Sequence, residues 1–151
     1  MSVIRATASR HALTRVRTLA GAAYPNEGCG ILIGSIGDAH ATIVDATSAR
    51  NLNTDRARDR YDLDPADFVR ADRDARERGL DVVGFWHSHP DHPARPSQTD
   101  TERAWIDYVY IICSTGSEGT RDVNAFTLSA DGGPFVAISL DADDSASDRR
   151  T

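Results

Sequence analysis

Residues 84–100, GFWHSHPDHPARPSQTD, carry the densest information in the chain. They close an apolar run, Asp81-Val82-Val83-Gly84-Phe85-Trp86, whose length and content suit a buried strand. Strand side chains repeat every two positions, so His87 and His89 project from one face as a pair of imidazoles and Ser88 from the other. Seven residues separate His89 from Ser97, which opens Ser97-Gln98-Thr99-Asp100. That is a helix-start pattern, and it puts Asp100 in the first turn, pointing back at the strand end. Two imidazoles and one carboxylate fill three corners of a tetrahedral zinc and leave the fourth open. An open corner takes a water, and the chemistry that follows is hydrolysis. The plainer reading is a polar surface loop, which a His-x-His pair alone does not exclude.

Glu27, then His87-Ser88-His89-Pro90, a spacer of seven residues and Ser97-x-x-Asp100 agree in order and spacing with the signature of the JAMM (MPN+) zinc metallopeptidases. The chain resembles the minimal prokaryotic type of that family. The resemblance implies one Zn2+ per chain on His87, His89 and Asp100, with Glu27 as general base and Ser97 as donor to the oxyanion. Sequence alone does not bring Glu27 to His87. It also implies an α/β fold, the MPN (JAMM) domain: a mixed β-sheet sandwiched by helices, with a cytidine-deaminase-like architecture, over roughly residues 8–140. Its expected substrate is a ubiquitin-like or sulfur-carrier protein of the β-grasp type, cut at the peptide or isopeptide bond after a C-terminal Gly-Gly. The diglycine tail is expected to lie extended beside a sheet edge, in a tunnel walled by residues 47–60 and 114–121. Two other readings stay open: a non-catalytic module that binds such a carrier around a structural zinc, and a zinc hydrolase of small amides. The H-x-E and P-C-x-x-C elements of nucleobase deaminases are absent, as is the H-E-x-x-H of thermolysin-like proteases.

Outward from the motif, the elements follow from periodicity and punctuation. Ala12, Leu13, Val16, Leu19, Ala20 and Ala23 predict a helix over 10–23 behind a Ser9 cap. Residues 27–34 read as a buried strand whose glycines permit close backbone approach, with a hairpin partner over 40–46. A long polar loop over 47–60 and a brief strand over 61–63 lead to Asp64-Pro65, a cap and first helical residue. That helix stops at Gly79 and is expected to turn Ala66, Phe68 and Val69 inward. Pro90, Pro93 and Pro96 stiffen the loop between the histidines and Ser97. In that loop His92 is read as a surface residue in preference to a fourth ligand. A helix over 98–105, a strand over 108–113, a loop over 114–121, a strand over 123–128, a turn over 131–133 and a last strand over 135–140 complete the order.

At 151 residues the chain suffices for one domain. The expected division is a catalytic domain over 1–140 and a disordered acidic tail over 141–151. No apolar run reaches the length of a membrane span and the N-terminus lacks a signal-peptide core, so the expectation is a cytoplasmic protein without membrane contact. A net charge of -6 with no basic stripe argues against nucleic acid as a partner. All 17 basic residues are arginine. Cys29 and Cys113 both lie in apolar runs and are expected to be reduced, buried and inert. Oligomeric state is not legible.

Overall fold

A computed structural model describes residues 3–98, 100, 104, 105, 107–128 and 133–143. In chain order the elements are β1 (Arg5–Ser9), α1 (Arg10–Ala23), β2 (Cys29–Gly37), β3 (His40–Ala49), α2 (Pro65–Glu77), β4 (Asp81–Pro90), β5 (Val109–Gly116), β6 (Gly119–Leu128) and β7 (Phe135–Asp143). The strands form one closed, barrel-like sheet in the order β1-β3-β2-β4-β5-β6-β7. Closure depends on β1, which pairs in parallel with β3 on one edge and with β7 on the other. Nothing in Arg5-Ala6-Thr7-Ala8-Ser9 predicts this strand: it has one β-branched residue and runs straight into a helix cap.

The two helices pack on opposite faces of the sheet, as neighbouring residues of β4 record. Trp86 belongs to the core that holds the α1 stripe Ala12, Val16 and Ala20, whereas Phe85 belongs to the core that holds Ala71 and Ala75 of α2. The expected helix-covered sheet is therefore present, but rolled closed. Ser9 caps α1 by accepting the Ala12 N–H at 3.0 Å, and Asp64 caps α2 by accepting the Ala66 N–H at 2.9 Å with Pro65 following. Small residues on the α1 stripe let the helix axis approach the sheet closely. The inward face of α2 corrects the sequence reading. Ala66 is exposed and Val69 is 62 % exposed, while Phe68, Ala71 and Ala75 face the sheet at helical spacing.

β4 is the interior strand on which the histidines stand. It pairs antiparallel with β2, where Cys29 faces His87, and parallel with β5, where His87 faces Ile112 and His89 faces Ser114. Gly30 allows the β2 contact: a Cβ there would sit 1.9 Å from the Thr47 carbonyl oxygen and 2.2 Å from Trp86 Nε1. Trp86 Nε1–H donates to that same carbonyl at 2.9 Å.

Three further expectations change. Residues 114–121 are strand and tight turn, since β5 and β6 pair down to Gly116 opposite Gly119. Residues 61–63 contribute a single bridge, Leu63 to Asn51. The last strand extends through Asp143, into the segment expected to be tail, and residues 144–151 lie outside the described residues. Of the helix expected over 98–105, Gln98 and Asp100 are helical and Ala104 and Trp105 are not; residues 99 and 101–103 lie outside the description, as do 131 and 132 of the expected turn. No helix among the described residues is long and apolar enough to cross a membrane.

Candidate metal centre

The end of β4 presents His87 and His89 on one face, as the strand period requires, with the rings 5.0 Å apart and both buried. Their Nε2 atoms are 3.2 Å from each other. Asp100 reaches both: Oδ1 lies 3.2 Å from His87 Nε2 and Oδ2 lies 3.1 Å from His89 Nε2. Glu27, also buried, completes a group with the two histidines in which one donor atom from each lies within 4.8 Å of the others. His92 is exposed and lies outside this group.

These separations suit a cation. Ligands about 2.0–2.1 Å from a tetrahedral zinc stand about 3.3 Å from one another, close to the three spacings among His87, His89 and Asp100. The donor set fits too. His89 Nδ1 lies 3.0 Å from the Pro93 carbonyl oxygen, so it carries the proton and leaves the Nε2 lone pair facing the centre. Two imidazole nitrogens and a carboxylate converging without a cation would oppose lone pairs in a buried place. Glu27, His87 and His89 could thus hold a metal ion, and Asp100 lies against both histidines.

The supports are a mixture of strand and loop. Ser97 and Asp100 exchange bonds in a reciprocal cap: the Ser97 N–H donates to Asp100 Oδ2 at 2.9 Å and the Asp100 N–H donates to Ser97 Oγ at 3.1 Å. Ser88, on the far face of β4, accepts the Gly28 N–H at 2.8 Å, and its own N–H donates to the Gly28 carbonyl. Glu27 is thereby pinned beside His87, through the pairing of Cys29 with His87 that no local pattern could supply. Tyr61, from the loop ahead of α2, stacks on the His87 ring at 4.6 Å and 26°. The sequence reading missed Tyr61 and the Pro93 carbonyl. An aromatic residue closing a long polar loop was the one available signal for Tyr61.

Electrostatics separate the two carboxylates. Burial pushes Glu27 up to about 7, helped by Asp100 and opposed by His89. Burial would push Asp100 up as well, but hydrogen bonds with both imidazoles and with the Ser97 N–H hold it well below the usual carboxylate range. Burial likewise lowers His87, while at His89 the bonds to Asp100 and Pro93 outweigh burial and raise it. One acid stays ionised and the other exchanges its proton near neutrality, a pairing suited to acid and base work. Burial pushes the Cys29 and Cys113 thiols up to about 12, so neither is a nucleophile at neutral pH.

Besides a cavity of about 410 Å³ between Glu27, Asn51, Asn53 and Ala57, two more flank the group. One of about 260 Å³ is lined by Glu27, Asp59, His89, Pro93, Arg95 and Ser97. The other, about 340 Å³ and mostly apolar, lies beyond Tyr61 between Leu63, Phe68, Phe85, Trp105 and Tyr110.

With this geometry in place, comparison with known proteins is decisive for the family. The model of prokaryotic homologs of the JAB domain matches residues 9–129. The chain belongs to this JAB family. Among curated JAB relatives it is similar to the desampylase of Haloferax volcanii, 40 % identical over 116 residues, covering 73 % of this chain and 81 % of that protein. It is also similar to a probable TtuB-protein conjugate cleaving protease of Thermus thermophilus, 35 % identical over 68 residues. That match spans 45 % of this chain and 43 % of the relative, less than half of either. A solution structure of a Desulfitobacterium hafniense protein superposes with a TM-score of 0.78 at 26 % identity, covering 91 % of this chain and 92 % of that one. One from Salinibacter ruber gives 0.68 at 37 % identity, covering 87 % and 88 %. The JAMM resemblance read from Glu27 and residues 84–100 is therefore correct at the level of family.

Proposed function

We propose that this chain is a zinc-dependent JAMM-type isopeptidase, which hydrolyses the peptide or isopeptide bond after the C-terminal Gly-Gly of a ubiquitin-like or sulfur-carrier protein. The observation that carries the reading is the convergence of His87, His89 and Asp100 to 3.1–3.2 Å, with Glu27 beside the histidines. His87 Nε2, His89 Nε2 and the Asp100 carboxylate would hold one Zn2+, which supplies a Lewis acid that acidifies a water and polarises the scissile carbonyl. The Glu27 carboxylate takes the proton of the attacking water and returns it to the departing amine nitrogen. Its raised pKa suits both halves of that transfer. Ser97 Oγ accepts the Asp100 N–H as a cap, and its O–H is the donor offered to the oxyanion.

The names of the two relatives, a desampylase and a conjugate-cleaving protease, support a protein conjugate as substrate. A β-grasp carrier ending in diglycine is the substrate we assign, since a tail without side chains can lie extended close against a buried site. The cavity of about 260 Å³ between Glu27, Asp59, His89 and Pro93 is the path we assign to that tail. The proposed catalytic domain includes the whole of β7, through Asp143, the proposed location is the cytoplasm, and the helix-covered mixed sheet is, on our reading, of the kind found in cytidine deaminases.

The test is incubation of the zinc-loaded protein with carriers extended by one residue or one lysine-linked protein after Gly-Gly, read by intact mass. Loss of the extension, abolished by chelator and restored by zinc, is the expected result. In Glu27→Gln the zinc should be retained and the rate should fall by about 10²–10⁴-fold. Undiminished cleavage in that variant would remove Glu27 from its role, and binding without cleavage by the wild type would favour the carrier-binding module.

A further inference from the structure

Beyond the group that faces the metal position, the loop between β3 and α2 converges on one side chain. Asn51 is half-buried and uses its amide on both sides. Its Nδ2 donates to the Glu27 carbonyl at 3.4 Å and to the Arg60 carbonyl at 3.0 Å. Its Oδ1 accepts the Asn53 N–H at 2.9 Å and the Asp62 N–H at 3.0 Å. Two carbonyls on one side and two N–H groups on the other fix which end of the amide is nitrogen, because the reversed orientation would oppose like with like four times.

We propose that Asn51 is the positioning residue of this site, seating Glu27 and Tyr61 together on either side of the histidine pair. Its four partners are the backbone of Glu27, of the loop start, and of both neighbours of Tyr61, Arg60 and Asp62. The backbone ladder agrees: the Leu52 N–H donates to the Asp62 carbonyl at 2.8 Å and Asn51 bridges Leu63, so Tyr61 is held at a fixed distance from the end of β3. On the Glu27 side the loop returns a second bond, from the Glu27 N–H to the Ala57 carbonyl at 2.6 Å. Ser88 fixes the following residue, Gly28, from the strand side. Glu27 is thus fastened to β4 through Gly28 and to the loop through its own N–H and carbonyl, and Asn51 supplies a side chain to the second fastening. Tyr61 in turn lies flat on His87.

The kinetic part of the inference rests on the hydrolase reading, but the placement of Tyr61 does not, and the experiment keeps them apart. Asn51→Ala and Asn51→Asp are prepared beside the wild type and three quantities are measured. These are zinc per chain, the rate on a diglycine-extended carrier, and the proton NMR positions of the His87 ring in the metal-free protein, which the stacked Tyr61 ring shields. In Asn51→Ala the His87 resonances should move downfield as Tyr61 leaves, and kcat should fall by about ten- to a hundredfold through misplacement of Glu27, with zinc still stoichiometric. Asp at position 51 keeps the acceptor for Asn53 and Asp62 but cannot donate to the Glu27 and Arg60 carbonyls. That variant should keep the shielding of His87 and still lose rate. Unshifted His87 and unchanged kcat in Asn51→Ala would overturn the proposal, as would a rate loss that merely tracks lost zinc. Should Asn51→Ala not fold, an Asn51→Asp protein with wild-type kcat overturns it equally. A wild type that cleaves no carrier defeats the hydrolase reading, while the His87 shift continues to report on Asn51.

Discussion

The two sides of this site are built from different material. His87 and His89 stand on β4, hydrogen-bonded to β2 on one edge and β5 on the other, with Trp86 and Phe85 locking the opposite faces of the strand into two cores. Glu27 and Tyr61 are held instead by short irregular segments, through the bonds of Asn51, Ala57 and Ser88. A strand between two partners moves only if the sheet moves, whereas a loop held by a few hydrogen bonds opens at far lower cost. The difference teaches where failure of each kind should appear. Damage on the strand side should cost metal or fold, and damage on the loop side should cost rate with metal retained.

The largest effect tests the strand side. Replacing His89 with alanine removes a donor that Pro93 has already oriented. The variant should lose stoichiometric zinc, read by elemental analysis, and its hydrolysis should fall by roughly 10³-fold or more. If zinc stays at one per chain, the cradle has been assigned to the wrong atoms. Gly30→Ala attacks the same side without touching a ligand. Its Cβ would lie 1.9 Å from a backbone carbonyl oxygen and 2.2 Å from Trp86 Nε1, both in well-packed strands that cannot yield locally. Overpacking of this kind costs about 1–3 kcal/mol or more, and thermal unfolding should show a midpoint lowered by several degrees. An unchanged midpoint would mean that β2 and β4 are less closely held than described.

How much of this was legible beforehand follows the same division. α1, its Ser9 cap, the Asp64-Pro65 start of α2 and the strand leading to His87 were readable because each is written in adjacent residues. The approach of Asp100 to His87 and His89 was readable because strand period and a helix start at Ser97 are local rules, while the return bond from the Ser97 N–H to Asp100 was not. β1 was not, since its five residues gain their strand character only from edges offered by β3 and β7, far along the chain. Val69 is apolar yet exposed, because the helical stripe that packs runs through Phe68, Ala71 and Ala75. The contacts of Tyr61 and Asn51 were hidden for a stronger reason. Their partners His87 and Glu27 are 26 and 24 positions away. A polar loop shows no periodicity from which such contacts could be inferred.

The loop side yields the smaller effects. Tyr61→Ala should keep its zinc and lose activity by about tenfold, the lower range for groups that orient a ligand from behind. Zinc content and kcat measured on one preparation decide it. Loss of metal instead would make Tyr61 part of the strand-side cradle and erase the distinction drawn between the two sides.

The smallest effect concerns how the loop is moored to α2. Asp67 in the first turn of α2 accepts the Arg50 N–H at 2.7 Å and pairs with Arg70, so the end of β3 and the helix start share one carboxylate. The Arg50 N–H, then Arg70, hold its pKa below the usual 3.8. A depressed carboxylate stabilises the fold at pH above its unfolded value, and that contribution disappears as pH falls through the lower, folded value. Near the surface the pair is screened, and the contribution is about 1 kcal/mol or less. Asp67→Asn should therefore lower the unfolding free energy by that amount at pH 7, with the gap between variant and wild type closing as the pH is brought below about 3.8. The Arg50 amide should also exchange with solvent faster in the variant, while the amides of β4 keep their wild-type protection. Equal acceleration in β4 would show that the mooring and the histidine strand open as one unit, and the two sides of the site would then share a single stability.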